Sequence, residues 1–430
     1  MLQSGRGMTI DSILRPAGRF LRTDIRYLAA GSFWLGIGKA VSVLVALVLS
    51  LLYARLIDRE VYGEYRYILS VLGTLGIFAI PGVATAIVRS VARGYEGTFR
   101  RGGFLIFFCS FGITLVGLGV AFWFYTQDKY SLAVSLAIAS LVVPLVEGLG
   151  NWRAYYEGKR LFREKTVLNI FSSIFYGAFM VAGILLLSSG RFTFFGNAVV
   201  VLVLSYLIGN AIPNILFFIR AMRSVPRASA VEPGSMRYGM HLSLLNAPAT
   251  VANYLDALLL HAFIGPAALA VYSFAIALPE QLKSVFAMFA TVSFPKLSSS
   301  VATSKGKYEI KKTLPSKIAK ATFLTAGIVA VYIFAAPTLY NILFPAYKEA
   351  AFPSQIFALS LIFFPVGVFG TALKAEGNLK KIYLHELSMP FIQIGMLAVL
   401  IPLYGLWGAV LARLFARIAN HILAFVLFIR

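Results

Sequence analysis

Long apolar runs, broken at near-regular intervals by short polar stretches, fill the chain from residue 27 to its end. About twenty apolar residues cover the hydrocarbon core of a bilayer as a helix. Twelve runs meet that length: Tyr27–Leu56, Tyr65–Val88, Gly103–Tyr125, Leu132–Trp152, Val167–Ser188, Phe195–Ile219, Tyr238–Phe263, Ala267–Phe294, Ile318–Leu343, Phe352–Leu373, Ile382–Pro402 and Leu406–Ile429. No interval between them is long enough for a folded soluble domain. The longest, Pro295–Lys317, reads as a lysine-rich linker centred on TSKGKYEIKK. The pattern predicts an all-α polytopic membrane protein with twelve transmembrane helices. Residues 1–26 carry five arginines but no apolar region followed by a small-residue cleavage site, so the first spanning segment is expected to direct insertion itself. Arg15, Arg19, Arg22 and Arg26 recur at helical spacing in this arm, which reads either as a short helix lying on the membrane face or as a disordered basic tail.

Composition agrees with the pattern. Of 430 residues 59% are hydrophobic and 13% charged, and mean hydropathy is +0.81. The net charge of +22 would suit a nucleic-acid partner, but its distribution excludes that reading. With the N-terminus in the cytoplasm, and with the span-end charges Arg55, Arg66 and Lys320 counted with the intervals they adjoin, the intervals on that side hold 29 Lys and Arg residues, the opposite intervals six, and the span interiors four. Such alternation is the charge bias that orients membrane helices, and it predicts a multi-pass protein of the cytoplasmic membrane with both termini inside. The excess charge then faces anionic lipid. Cys109, alone in an apolar run, allows neither an intramolecular disulfide nor a cysteine metal site, and the four histidines lack metal-ligand spacing. No phosphate-binding loop G-x-x-x-x-G-K-[ST] occurs. No cofactor is expected, and an ion gradient, the membrane potential or consumption of a product across the membrane remain as drives.

A shift of 207 positions lays Leu51, Leu52, Ile57 and Tyr65 over Leu258, Leu259, Ile264 and Tyr272, and Arg89 over Lys296. It also places the seventh segment on the first. The chain then divides into a basic arm (1–26), a six-helix lobe (27–219), a cytoplasmic linker (220–237) and a second six-helix lobe (238–430). Six helices per half make the halves parallel, and two such bundles enclose a central cleft.

The run LVLSLLYARLIDREVYGEYRYILSVLGTLG, with Tyr62-Gly63-Glu64-Tyr65, resembles the polysaccharide-transporter branch of the multidrug/oligosaccharidyl-lipid/polysaccharide exporter superfamily. So do NYLDALLLHAFIGPAALAVYSFAIALPEQL in the second half and NWRAYYEGKR after the fourth segment. The resemblance spans essentially the whole chain. It implies two six-helix lobes in a V around a cleft, and an activity of flipping polyprenyl-linked glycans across a membrane. Ala270 stands where the second copy of Tyr62-Gly63 would have its glycine, so that copy is degenerate. No substrate residue maps from the family by motif.

Four cations lie deep inside spans: Lys39, Lys283, Arg413 and Arg417. A charge at mid-bilayer costs roughly 2.5–3.5 kcal/mol on insertion scales, so such residues face a wet cavity or a partner. Arg413 and Arg417 share one face of the last helix, continued by Asn420 and His421. They either line the cleft or bond carbonyls and acids of neighbouring helices. Lys39 lies about 18 Å into its helix at 1.5 Å per residue. Lys283 has Glu280 three residues away, so the two form either a neutral intrahelical pair or part of a site. Asp256 and Glu280 are candidates for ion coupling, or fixed counter-ions.

Guanidinium groups hold phosphate through planar, permanently charged donors, and ammonium adds a point charge. Lys39, Arg413, Arg417 and Lys283 are therefore the candidate binding residues for the headgroup of a lipid-linked oligosaccharide. Membrane lipids, a glycan polymerase and glycosyltransferases are the further expected partners. Alternatives are a multidrug/cation antiporter, which would need anions where this chain has cations, and a peptidoglycan-precursor flippase, which the same headgroup chemistry serves. A membrane glycosyltransferase is weaker, because Asp58, Glu60 and Glu64 are interleaved with Arg55, Arg59 and Arg66 and read as a solvated hairpin.

Overall fold

With no water in the bilayer core, every backbone polar group there must be bonded within the protein, and a chain of long apolar runs meets that demand as helices. The computed structural model describes residues 25–190, 197–301, 304–370 and 379–429, and among them there is no strand. The basic arm, residues 1–24, lies outside the described residues.

The helices are α1 (Ile25–Leu56), α2 (Arg59–Leu75), α3 (Gly82–Ala92), α4 (Gly97–Thr126), α5 (Tyr130–Val143), α6 (Trp152–Gly158) and α7 (Phe162–Ser188). They continue as α8 (Ala198–Ser224), α9 (Ser235–Phe263), α10 (Pro266–Val301), α11 (Ser304–Leu343), α12 (Ala351–Leu359), α13 (Leu379–Tyr404) and α14 (Leu406–Ile429). Among the described residues nine helical stretches are long and apolar enough to cross a membrane, ten if the bent pair α2–α3 counts as one. Helices α9 and α10 fall outside that group although they have 29 and 36 residues. The polar side chains Asp256, Glu280 and Lys283 lie on these two helices, where they dilute the hydropathy.

Three expected features differ. The second predicted span is broken: residues 76–79 form a 3-10 turn, Ile80 adopts a left-handed backbone (φ 43°) before Pro81, and the two helices meet at 50°. Proline disfavours the helical conformation in the residue before it, which explains a break at this point. The fourth predicted span passes through a π-helical turn at Pro144–Gly148 before α6. Most of the expected linker Pro295–Lys317 is helical, since α10 runs to Val301 and α11 starts at Ser304. At 1.5 Å per residue these helices reach about 54 and 60 Å. Both exceed the roughly 30 Å hydrocarbon core, so part of each helix extends beyond it.

Within the first half, α1 packs on α7, α7 on α8 and α4 on α5; within the second, α9 on α13 and α13 on α14. Helices α2 and α3 pack against α9, and α2 against α10, which joins the halves. The α2–α10 crossing is close because Gly63 has no side chain: a Cβ there would lie 1.9 Å from the Pro266 carbonyl oxygen. At the end that carries residues 225–234, Glu232 pairs with Arg93 (2.8 Å), accepts from the Ser90 hydroxyl, and donates its amide to Thr98 (2.9 Å). At the opposite end Arg59 pairs with Glu349 (2.7 Å) and donates to the Ala346 carbonyl. Beneath it Tyr62, Phe274 and Tyr347 stack, with ring centroids 5.2 and 4.0 Å apart. That end is closed by contacts between the halves.

Candidate functional site

The intramembrane charges are distributed over two cavities. In the second half α9, α13, α14 and residues 367–370 enclose a space of about 400 Å³, lined by Asn253, His385, Gln393, Arg417, Asn420 and His421 among others. Arg417 donates to Glu280 on α10 and to the Ser360 hydroxyl (2.9 Å), and its guanidinium lies 4.4 Å from the Phe357 ring centroid. Glu280 also accepts from Lys283 (3.1 Å). Two cations thus share one carboxylate, and Glu386 adds a second acid to the cavity lining. Arg417 is 19% exposed and Lys283 40%.

Arg413, one turn earlier on α14, turns inward to Asp256 of α9 at 2.7 Å and donates to the Asn253 carbonyl (2.9 Å). Asp256 is 2% exposed; it also accepts from the Ala257 amide (2.9 Å) and from the Tyr272 hydroxyl. This pair lies within the protein, and neither residue lines the cavity.

The second cavity, about 320 Å³, lies in the first half between α1, α7, α8 and Arg153. Lys39 is exposed there and has no ion-pair partner among the described residues. Arg153 donates to two neutral amides, Asn169 (2.9 Å) and Asn214 (3.3 Å), and stacks 4.6 Å from the Trp152 ring centroid. Glu147, on the π turn, is its nearby acid. The Ser42 and Ser173 hydroxyls bond one another at 3.1 Å, whereas the hydroxyls of Thr166 and Ser172 are buried without a partner. The wall therefore offers cations, hydroxyls and amides, the groups that bind phosphates and sugars.

Lys39 accordingly does not meet Arg413, Arg417 or Lys283; the structure separates it from them. Sequence reasoning missed Arg153, which was counted as a loop charge although it follows Trp152, and it missed the α13 side chains His385 and Gln393. The signal for Arg153 is its place in NWRAYYEGKR, where Trp152 anchors to Asn214 at 3.1 Å and fixes the local turn. Both cavities lie between mid-depth and the end that carries residues 225–234, opposite the closed end. Among the described residues no group of three His, Cys, Asp or Glu side chains is placed to hold a metal ion.

A sequence profile described as polysaccharide biosynthesis protein matches residues 28–301, well over half of the chain. The chain belongs to that family. No curated protein matches it in sequence. Among solved structures, the lipid II flippase MurJ in an inward closed conformation superposes with a TM-score of 0.68 at 14% identity, over 91% of this chain and 86% of that one. An inward-facing multidrug resistance MATE transporter of the MOP superfamily gives 0.64 at 16% identity, over 90% and 93%. A MOP superfamily transporter from Pyrococcus furiosus, described as having a binding pocket of reverse polarity, gives 0.63 at 15% identity, over 93% and 94%. At these identities the likeness establishes a shared fold: this family member is a multi-pass membrane protein built as MOP transporters are.

Proposed function

We propose that the protein is an alternating-access flippase for polyprenyl-(pyro)phosphate-linked oligosaccharides, carrying the glycan from the cytoplasmic to the outer leaflet. One observation carries this reading: the first-half cavity is lined by two basic side chains, Lys39 and Arg153, with hydroxyls and amides around them, and contacts between the halves close the end that carries Arg59 and Glu349. Charges in a site partly shielded from water attract anions more strongly than they would in bulk. Lys39 and Arg153 take the phosphate, and Arg417 with Lys283 faces it or the glycan from the second half. Arg413 and Asp256 hold α14 on α9; Asp256 thereby serves as a fixed counter-ion, and Glu280 does so for two cations. The two six-helix lobes rock about their interface. The end bearing residues 225–234 is cytoplasmic on the charge count, as are both termini.

The family description supports the glycan, and Lys39 and Arg153, which line the first-half cavity, disfavour a cation or drug antiporter. The MurJ-like fold keeps a peptidoglycan precursor as the second substrate to test. A glycan polymerase or glycosyltransferase is the protein partner this role implies.

The test is flipping of a fluorescent polyprenyl-diphosphate oligosaccharide by the reconstituted protein, with a peptidoglycan precursor in a parallel arm. Wild-type protein should move the first, and Lys39→Glu and Arg417→Glu should each abolish movement while inserting normally. Movement at wild-type rates in both variants would refute the site. Movement of the peptidoglycan precursor alone would replace the substrate.

A further inference from the structure

Arg66 belongs to neither cavity. Its position two residues inside the second predicted span made it look like a hairpin charge, yet in the structure it is half-buried between the halves. Its Nε donates to the Ser273 hydroxyl of α10 at 3.3 Å, the one side-chain hydrogen bond that the described residues give it. A guanidinium carries five N–H donors, so most of its bonding capacity is free. No carboxylate pairs with it among the described residues; its titratable neighbours are Tyr62, Tyr65, Tyr176 and Tyr53. The Tyr53 hydroxyl is buried without a partner. The surroundings are thus rich in donors and poor in negative charge, in a region that closes on itself in this conformation.

The position adds a second reason. Residues 66 and 273 are separated by 207 positions, the shift that superimposes the two halves in sequence. A residue that touches its own counterpart lies on the axis relating the halves. Packing around it agrees, with Tyr62 on Phe274 and Gly63 against Pro266. A site on that axis is contributed by both halves and keeps the same relation to each as they tilt. Tyr176 stands between: it lines the first-half cavity with Lys39 and Arg153, and it is also a neighbour of Arg66.

We infer that Arg66, with the surrounding tyrosine hydroxyls, is a second anion station, which the phosphate-type headgroup reaches from the first-half cavity past Tyr176 as the halves tilt. The inference rests on the flippase reading for its substrate, but its decisive test does not. In a Cys109→Ala background, Ser273→Cys places a thiol beside Arg66 in the full-length reconstituted protein. Rates of modification by an anionic and a cationic methanethiosulfonate are measured and normalised to their rates with a free thiol. An anion station gives the anionic reagent an advantage of about tenfold or more, as expected for a charged cleft that focuses its counter-ion. Arg66→Gln should bring the ratio near one, and Arg66→Lys should keep most of it. A ratio unaffected by Arg66→Gln, or a thiol that neither reagent reaches during the cycle, would overturn the inference.

Flipping separates a station from a brace. Arg66→Gln should slow glycan movement about tenfold or more, on the same electrostatic ground, while Ser273→Ala leaves it near wild type. Equal losses in both variants would mean that Arg66 only ties the halves together. Wild-type protein that leaves the oligosaccharide in place, with anion selectivity at the introduced thiol intact, would overturn the proposed substrate and retain the station for another oxyanion.

Discussion

At Asp256 the carboxylate oxygens are occupied by the Ala257 amide, the Tyr272 hydroxyl and the Arg413 guanidinium. The two charges are therefore a structural unit, and removing one strands the other. Breaking a buried ion pair from one side costs about 3–5 kcal/mol. Asp256→Ala should lower the thermal unfolding midpoint in detergent markedly. Lys39→Ala should leave it almost unchanged, because an exposed side chain away from packed contacts is worth within about 0.5 kcal/mol, and should reduce flipping instead. Comparable midpoints for the two variants would refute the division of labour. The charged positions were legible in the sequence as expensive residues inside apolar runs, but their partners were not. Asp256 and Arg413 are far apart along the chain, and only the α9–α14 approach decides that they meet. The same holds for Arg417 and Glu280, while Lys283 and Glu280, one turn apart, could be paired from spacing alone. Arg66 and Arg153 escaped because a charge near the end of a predicted span looks like a loop charge until the fold shows what surrounds it.

Elements were easier to read than their breaks. The long apolar runs are helical over their described residues, as a membrane demands of an isolated segment, but the bend at Ile80–Pro81 and the π turn at Pro144 depend on local backbone choices that hydropathy does not report. Tyr62-Gly63 was read as a family mark; its physical cause is the α2–α10 crossing. Gly63→Ala would place a methyl carbon against the Pro266 carbonyl, and overpacking of this kind costs about 1–3 kcal/mol. It should depress the unfolding midpoint and flipping together, whereas Gly119→Ala, with open space at its Cβ, should change neither. The connection between α8 and α9 carries a pH dependence of definite sign. The Ser90 hydroxyl, with Arg93, holds the Glu232 carboxyl below its ordinary value. A depressed carboxylate contributes stability that is present above the unfolded value of about 4.3. That contribution is lost as pH falls through the lower folded value. Proteolysis of residues 225–234 should therefore be slow at neutral pH and accelerate only below about pH 4, and Glu232→Gln should be cut at a pH-independent, faster rate. Identical pH profiles for both proteins would remove the latch.

For the whole molecule, the 207-residue shift is the sequence ground for expecting a duplication, and Arg66 touches Ser273, the position that the shift lays over it. Which end is closed was not legible, because closure rests on contacts between distant segments: Arg59 with Glu349 and the Ala346 carbonyl, Arg55 with the Ile342 carbonyl, and the Tyr62–Phe274–Tyr347 stack. Arg59 and Glu349 are 43% and 57% exposed, so their pairing is worth only about 0.2–1 kcal/mol. The buried stack contributes more, through area removed from water and ring contact. The proposed alternating-access cycle would need that ordering: an ion pair weak enough to part in each turnover, and an aromatic layer that re-forms to seal the opening. Arg59→Glu should shift the balance toward opening at this end by a factor of up to about 5. Spin labels placed on the 57–58 and 344–346 connections would report the change as a larger population of long distances. Glu349→Arg combined with Arg59→Glu should restore the original distribution by reversing the pair. If the charge-swapped double variant stays as open as Arg59→Glu alone, the pair is not what biases this end, and the seal must be assigned to the aromatic stack.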